Sequence, residues 1–379
     1  MKNNNLKLKD EVVEEKRHWV RITSACNNNC LFCLDSENHN GKIIPFKEVV
    51  KDLKAGIESG CVRAIISGGE PSIHSDIFKI IKYAKKIGYS HVQMISNGRM
   101  FAYEEFTRSA KTAGLDEITF SLHSHLKEQL EEMTRVKGSY LQAMKGLSNA
   151  LKYSFIISID IVISKINYKN LRETMLFFIA LGVTEFDLLY LIPSGSAWEN
   201  RGRLFIEPAK VGKYLKEALA LSSNHDLFIW TNRLPAELLE GYEQFIQNPV
   251  KLQSELHGMR SQFESYIKNG NLMSCYGERC QYCFMRGFCT DLITLKKTGQ
   301  LESKPTPLCL PKIKKKNKLF KFDERLDIHK FLDFYIKHRY FIKSVKCRKC
   351  KYDKNCSGAR INKIRESGFK ILKLLELKQ

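Results

Sequence analysis

Residues 19–33 read WVRITSACNNNCLFC. The opening WVRIT has the β-branched and aromatic content of a short strand. It leads directly into a loop carrying Cys26, Cys30 and Cys33, spaced C-x3-C-x2-C. Three thiols this close form a metal-binding pattern, and taken alone they read equally as three-quarters of a zinc site.

Outward from this loop the chain alternates between two periods. Apolar Phe46, Val49, Val50, Leu53 and Ile57 recur at helical spacing, which predicts a helix over 46–59. Strands are then expected at 63–67, 91–96, 117–122, 156–163 and 185–192, with helices at 75–87, 103–113, 140–152, 170–181 and 207–221. Six strand–helix units imply a parallel sheet with right-handed crossovers. Their length and regularity predict an α/β fold, a partial (β/α)6 barrel of the TIM type. In such barrels the chemistry sits in the loops that follow the strands. Those loops hold Gly68-Gly69-Glu70-Pro71 after the second strand, Asn97-Gly98-Arg99 after the third, Ser121-Leu122-His123 at the end of the fourth and Pro193-Ser194-Gly195 after the sixth. Paired glycines let a backbone approach a ligand closely.

Composition narrows the classes. The 379 residues suffice for two or three domains, and an apolar content of 43% is that of a globular chain. MKNNNLKLKDEVVEEK at the start has no apolar run, and no segment is long and apolar enough to span a bilayer. A cytoplasmic location without membrane contact is therefore expected, and there thiols stay reduced. The 12 cysteines then read as metal ligands and not as a disulfide framework. Cys26, Cys30, Cys33 and Cys61 lie at the front, and eight more follow from Cys275 onward. Expected divisions are an N-terminal extension 1–17, a barrel 18–222, a helical bridge 223–270 and a cysteine-rich domain 271–379.

C-x3-C-x2-C after the first strand, GGEP after the second and Asn-Gly after the third together resemble the radical S-adenosylmethionine (SAM) superfamily over about residues 18–212. The resemblance implies that Cys26, Cys30 and Cys33 hold a 4Fe–4S cluster whose fourth iron is left to the amino and carboxylate groups of SAM. That would answer why three thiolates suffice where such clusters otherwise take four. It further implies that Gly68, Gly69, Glu70 and Pro71 border the SAM amino group. Asn97 and Ser121 would lie near its ribose or carboxylate, Arg135 near its carboxylate, and Phe32 beside the adenine. His123 at the same rim is a candidate catalytic residue, to be weighed against a hydrogen-bonded or solvated histidine. Cys61 reads as a small core residue.

Residues 275–289, CYGERCQYCFMRGFC, contain C-x2-C-x5-C at Cys280, Cys283 and Cys289, and Cys347, Cys350 and Cys356 repeat the spacing. This resembles the SPASM and related extensions of radical SAM enzymes, which implies one or two auxiliary 4Fe–4S clusters. The extension's pattern continues to a further cysteine where this chain has Arg360. Cys275 and Cys309 are then the natural additional ligands. Zinc is the alternative, because all-thiolate spacing separates the two metals poorly.

The net charge is +21, and residues 311–379 hold 22 lysines and arginines against 7 acidic residues. Lys312, Lys314, Lys315, Lys316 and Lys318 are the densest part. Such density attracts phosphates or acidic peptides, but no nucleic-acid-binding signature accompanies it. The sequence thus predicts a radical SAM enzyme that modifies a peptide or protein side chain, served by an electron donor such as a flavodoxin or ferredoxin. The alternatives are a small-molecule or RNA substrate, and a non-catalytic iron–sulfur or zinc protein on a barrel scaffold.

Overall fold

The computed structural model describes residues 15–223, 225–310 and 317–375. The chain folds as two compact units, one reaching to Asn232 and the other running from Arg233.

The first unit is a sheet of seven parallel strands: β1 (Arg17–Thr23), β2 (Arg63–Gly68), β3 (His91–Ser96), β4 (Glu117–Ser121), β5 (Ile156–Ile163), β6 (Glu185–Tyr190) and β7 (Phe228–Asn232). They lie side by side in chain order. Helices α1 (Phe46–Glu58), α2 (Ile77–Lys86), α3 (Glu104–Ala113), α4 (Lys127–Thr134), α5 (Ser139–Lys152) and α6 (Leu171–Ala180) fall in the crossovers. This is the partial barrel that the alternating periods predict. The sheet gains a seventh strand where six were expected. β7 lies within the stretch read as a helical bridge, and it pairs Ile229 with Phe186 and Thr231 with Leu188. Helix α4 was also not expected from the periodicity.

Alternation along the strands sorts the two faces. On β3 and β6, Val92, Met94, Phe186 and Leu188 are fully buried, while His91, Gln93, Glu185 and Asp187 are only half-buried. The half-buried residues join buried Glu117, Thr119 and Ser158 in a polar network towards the N-terminal ends of the strands. Arg63 donates to Glu117 at 2.6 Å and to Glu15 at 2.8 Å, and His91 Nε2 lies 2.8 Å from Glu117. Gln93 donates to Thr119, whose hydroxyl meets Ser158 at 2.8 Å. Every ion in this network has a partner, as burial of charge requires. The thiol loop lies at the opposite, C-terminal ends of the strands.

The second unit packs the helices Arg260–Asn269, Arg286–Thr298 and Ile328–His338 around Phe263, Phe288, Leu292, Phe331 and Leu332. Asp291 takes a bidentate contact from Arg339, at 2.6 and 2.9 Å. Arg360, where the extension's pattern carries a cysteine, lies on the short strand Ala359–Arg360 and is paired with Phe341. Among the described residues no helix is long and apolar enough to cross a membrane. Residues 1–14 of the expected N-terminal extension, and Lys312, Lys314, Lys315 and Lys316 of the basic run, lie outside the described residues.

Candidate functional site

The thiol loop is held by its neighbours on several sides. The backbone N–H groups of Asn29 and Leu31 donate to the carbonyls of Thr134 and Met133 at the end of α4, at 3.1 and 2.9 Å. Asn97 Nδ2 donates to Asn27 Oδ1 at 2.7 Å. Arg99 donates to Asn28 Oδ1 at 2.9 Å and to the Asn27 carbonyl, and is itself steadied by Gln142 at 2.6 Å. The asparagine-rich run between the first two cysteines therefore supplies the anchors of the loop. Asn27, Asn28 and Arg99 were not singled out from sequence, because the signal exists only once the loops after β1 and β3 are adjacent.

Gly68 and Gly69 complete the clamp. The N–H groups of Gly69 and Glu70 donate to the carbonyls of Thr23 and Ala25, each at 2.8 Å. A Cβ on Gly68 would stand 2.2 Å from the Thr23 carbonyl oxygen, and one on Gly69 2.2 Å from that of Ala25. Gly68 also has φ +139°, open to glycine alone. The close approach that these glycines allow is thus to the chain's own thiol loop. On another side, Gly195 packs against the Cys33 carbonyl, and Ser196 N–H donates to Ser36 at 2.7 Å.

Glu70 is 1% exposed. Its Oε1 accepts from Ser72 N–H, the Ser72 hydroxyl and the Ser96 hydroxyl, at 3.0, 2.5 and 2.8 Å. Its Oε2 accepts from Asn97 N–H at 2.7 Å. Burial raises its pKa, and these donors oppose the rise. Pro71 opens the short turn Pro71–Ile73 that brings Ser72 to the carboxylate.

The three thiols belong to one electrostatic neighbourhood. Burial pushes Cys26 up to about 11, with the negative charges of Glu70 and Cys33 adding to the rise. Cys30 is raised further by burial, and next by Cys26 and Cys33. Cys33 is raised too, first by burial. Some groups oppose this: Asn28 N–H, 3.4 Å from Cys26 Sγ, lowers Cys26, and Asp35 N–H and the Arg21 charge lower Cys33. Among the described residues no three histidine, cysteine or carboxylate side chains converge as a site for a single metal ion. The fit of a cluster is therefore judged by donor chemistry. Three half-buried thiols that raise one another's pKa need a cation to become thiolates, and iron would supply it.

The remaining predicted residues divide. Phe32 sits edge-on to His123, ring centroids 4.4 Å apart. His123 is buried, its Nδ1 accepts from Val162 N–H at 3.2 Å, and burial lowers it to about 4. It is therefore a neutral imidazole that seats Phe32. Ser121 ends β4, half-buried and in register with Asp160. Arg135 is exposed, in left-handed backbone at φ +57°, with Nη2 3.4 Å from Asn200 Oδ1. It directly follows Thr134, which grips the thiol loop. Cys61 is half-buried, not a core residue.

In the second unit the eight thiols fall into two groups of four. The buried Cys289 thiol is raised first by burial and then by Cys283, Cys275 and Cys280. Burial pushes Cys283 up to about 11, and Cys275 and Cys280 add to it. Separately, Cys309, Cys347, Cys350 and Cys356 line one cavity, and Cys347 is raised by burial and then by the other three. All eight are free thiols. The structure thus gives Cys275 to the first C-x2-C-x5-C and Cys309 to the second.

Residues 20–178 match the family model of the radical SAM superfamily. This stretch, running from β1 into α6, is similar to a radical SAM domain. The chain is 31% identical over 200 residues to a protein of Sulfurisphaera tokodaii named probable GTP 3′,8-cyclase, covering 52% of this chain and 63% of that protein. A protein of the same name from Saccharolobus solfataricus is 26% identical over 178 residues, covering 46% and 57%. The chain therefore spans less than two thirds of the length of these relatives. Among solved structures, Streptococcus suis SuiB bound to S-adenosylmethionine has a similar fold, with a TM-score of 0.50 at 15% identity over 96% of this chain and 78% of that chain.

Proposed function

We propose that this chain is a radical SAM enzyme whose SAM-binding 4Fe–4S cluster is held by Cys26, Cys30 and Cys33. The observation that carries the reading is the set of three half-buried thiols sharing one electrostatic neighbourhood, on a loop clamped by GGEP and Asn97-Gly98-Arg99. A cluster held there would supply one electron for reductive cleavage of SAM, the source of a radical able to take hydrogen from substrate. The protein's own residues supply position and shielding. Asn27, Asn28 and Arg99 fix the thiol loop, Glu70 locks the two flanking loops, and Phe32 and His123 close the rim with apolar surface. Glu70 Oε2, which accepts from Asn97 N–H, retains acceptor capacity for the SAM amino group.

For the substrate, the relatives named GTP 3′,8-cyclase support a small molecule of the nucleotide class over the peptide that the C-terminal spacing suggested. The two four-thiol groups of the second unit would hold auxiliary clusters. Anaerobically reconstituted protein, given SAM and dithionite, should form 5′-deoxyadenosine, and GTP should be consumed in step with it. SAM cleavage without GTP consumption would retain the class and reject the nucleotide. A candidate peptide modified in the same assay would restore the peptide reading.

A further inference from the structure

The second four-thiol group lies in an unusually basic loop. Residues 343–356 read KSVKCRKCKYDKNC, so cations fall between and around Cys347, Cys350 and Cys356. Lys346, Arg348, Lys349 and Lys354 are all exposed, and among the described residues none of them is in an ion pair. The carboxylates nearby are already engaged. Asp353 takes Lys343 Nζ at 3.0 Å. Glu240 takes the Ser344 hydroxyl at 2.8 Å and Val345 N–H at 2.9 Å. The thiols themselves are half-buried, with Cys309, Lys343 and Lys373 lining the same cavity. The other four-thiol group differs, since its Cys289 is buried beside Phe288 in the apolar core of the unit.

We infer that the face formed by Lys346, Arg348, Lys349 and Lys354 is the docking surface for an acidic one-electron carrier protein. The inference rests on the proposed function, which needs a reductant. Four uncompensated cations concentrated on one short loop would steer a negatively charged partner. Interleaving them with thiols puts that partner beside a site fit for a redox centre. A nucleic-acid phosphate backbone would also meet cations, but it has no use for the thiols at the centre of the patch. A carrier docked here would give up one electron to the iron held by these thiols and leave oxidised by one electron.

The test is binding of an oxidised acidic flavodoxin to the reconstituted full-length protein at low and at physiological salt. Wild type should bind with strong salt dependence, and Arg348→Glu/Lys349→Glu/Lys354→Glu should weaken binding about tenfold or more at low salt. The milder Lys349→Gln/Lys354→Gln covers the case in which charge reversal prevents folding, and should give a smaller loss of the same sign. Reduction of the iron by reduced methyl viologen, a small cation, should not slow in either variant. Equal flavodoxin affinity in wild type and variants would overturn the inference. So would a 20-nucleotide RNA that binds this face and displaces the flavodoxin. Dithionite-driven 5′-deoxyadenosine formation is read in parallel. Its presence with no salt-dependent docking rejects the docking face alone, and its absence in wild type rejects the enzyme reading.

Discussion

The backbone N–H of Asn97 donates to Oε2 of Glu70 at 2.7 Å, so the loops after β2 and β3 share one buried carboxylate. The same Asn97 reaches Asn27 with its side chain at 2.7 Å. One residue therefore connects the carboxylate to the thiol loop, and the geometry of that loop depends on both contacts.

Replacing Glu70 by glutamine tests this dependence. The amide keeps the volume but turns an N–H₂ towards groups that are themselves donors. Leaving such a donor unpaired in a buried site costs about 1–3 kcal/mol. Glu70→Gln is expected to lower the melting temperature and to reduce SAM affinity, both measurable by thermal scan and titration. An unchanged melting temperature would show that the carboxylate is not the lock described.

Gly69→Ala should act on the loop before it acts on any ligand. The added Cβ would meet the Ala25 carbonyl oxygen at 2.2 Å. Overpacking of this kind costs roughly 1–3 kcal/mol. The variant should lose cluster absorption near the thiol loop along with SAM binding. Full cluster absorption with weakened SAM binding would place the glycine's role at the ligand.

His123 gives a pH dependence with a definite sign. Its folded value, about 4, lies below the ordinary 6.5. The unfolded chain then binds the proton more readily between these values, so stability falls as pH drops from 6.5 towards 4. At 1.36 kcal/mol per unit the loss is about 3 kcal/mol. Chemical denaturation of wild type and His123→Phe at pH 7 and pH 5 reads it out, and the acid-side loss should shrink in the variant. Parallel curves would contradict the buried neutral imidazole.

The two four-thiol groups predict separable iron. Full-length protein should carry up to about twelve irons if every site holds a 4Fe–4S cluster. Cys280→Ala/Cys283→Ala and Cys347→Ala/Cys350→Ala should each remove about four of them, and the combined variant about eight. Stoichiometric zinc in place of that iron would make the second unit a structural zinc domain.

Much of the barrel was legible because its strands and helices have clean periods. The strand expected at 156–163 is β5 (Ile156–Ile163), and the helix expected at 140–152 is α5 (Ser139–Lys152). β7 was not legible, because FIWTN is short and is separated from β6 by the helix Pro208–Leu219. Its pairing with β6 comes from tertiary contact. At the site, the cysteine spacing by itself pointed to metal binding. The roles of Asn27, Arg99 and Ser96 did not show, because each is defined by a partner from 26 to 72 residues away. The grouping of Cys275 and Cys309 had the same cause, since spacing names candidates and only folding assigns them.

The most direct test of the central claim is SAM cleavage by the Cys26→Ala/Cys30→Ala/Cys33→Ala variant, reconstituted anaerobically and reduced with dithionite. The account predicts no 5′-deoxyadenosine, while iron held by the second unit remains. Cleavage at the wild-type rate in that variant would contradict the assignment of the cluster to these three thiols.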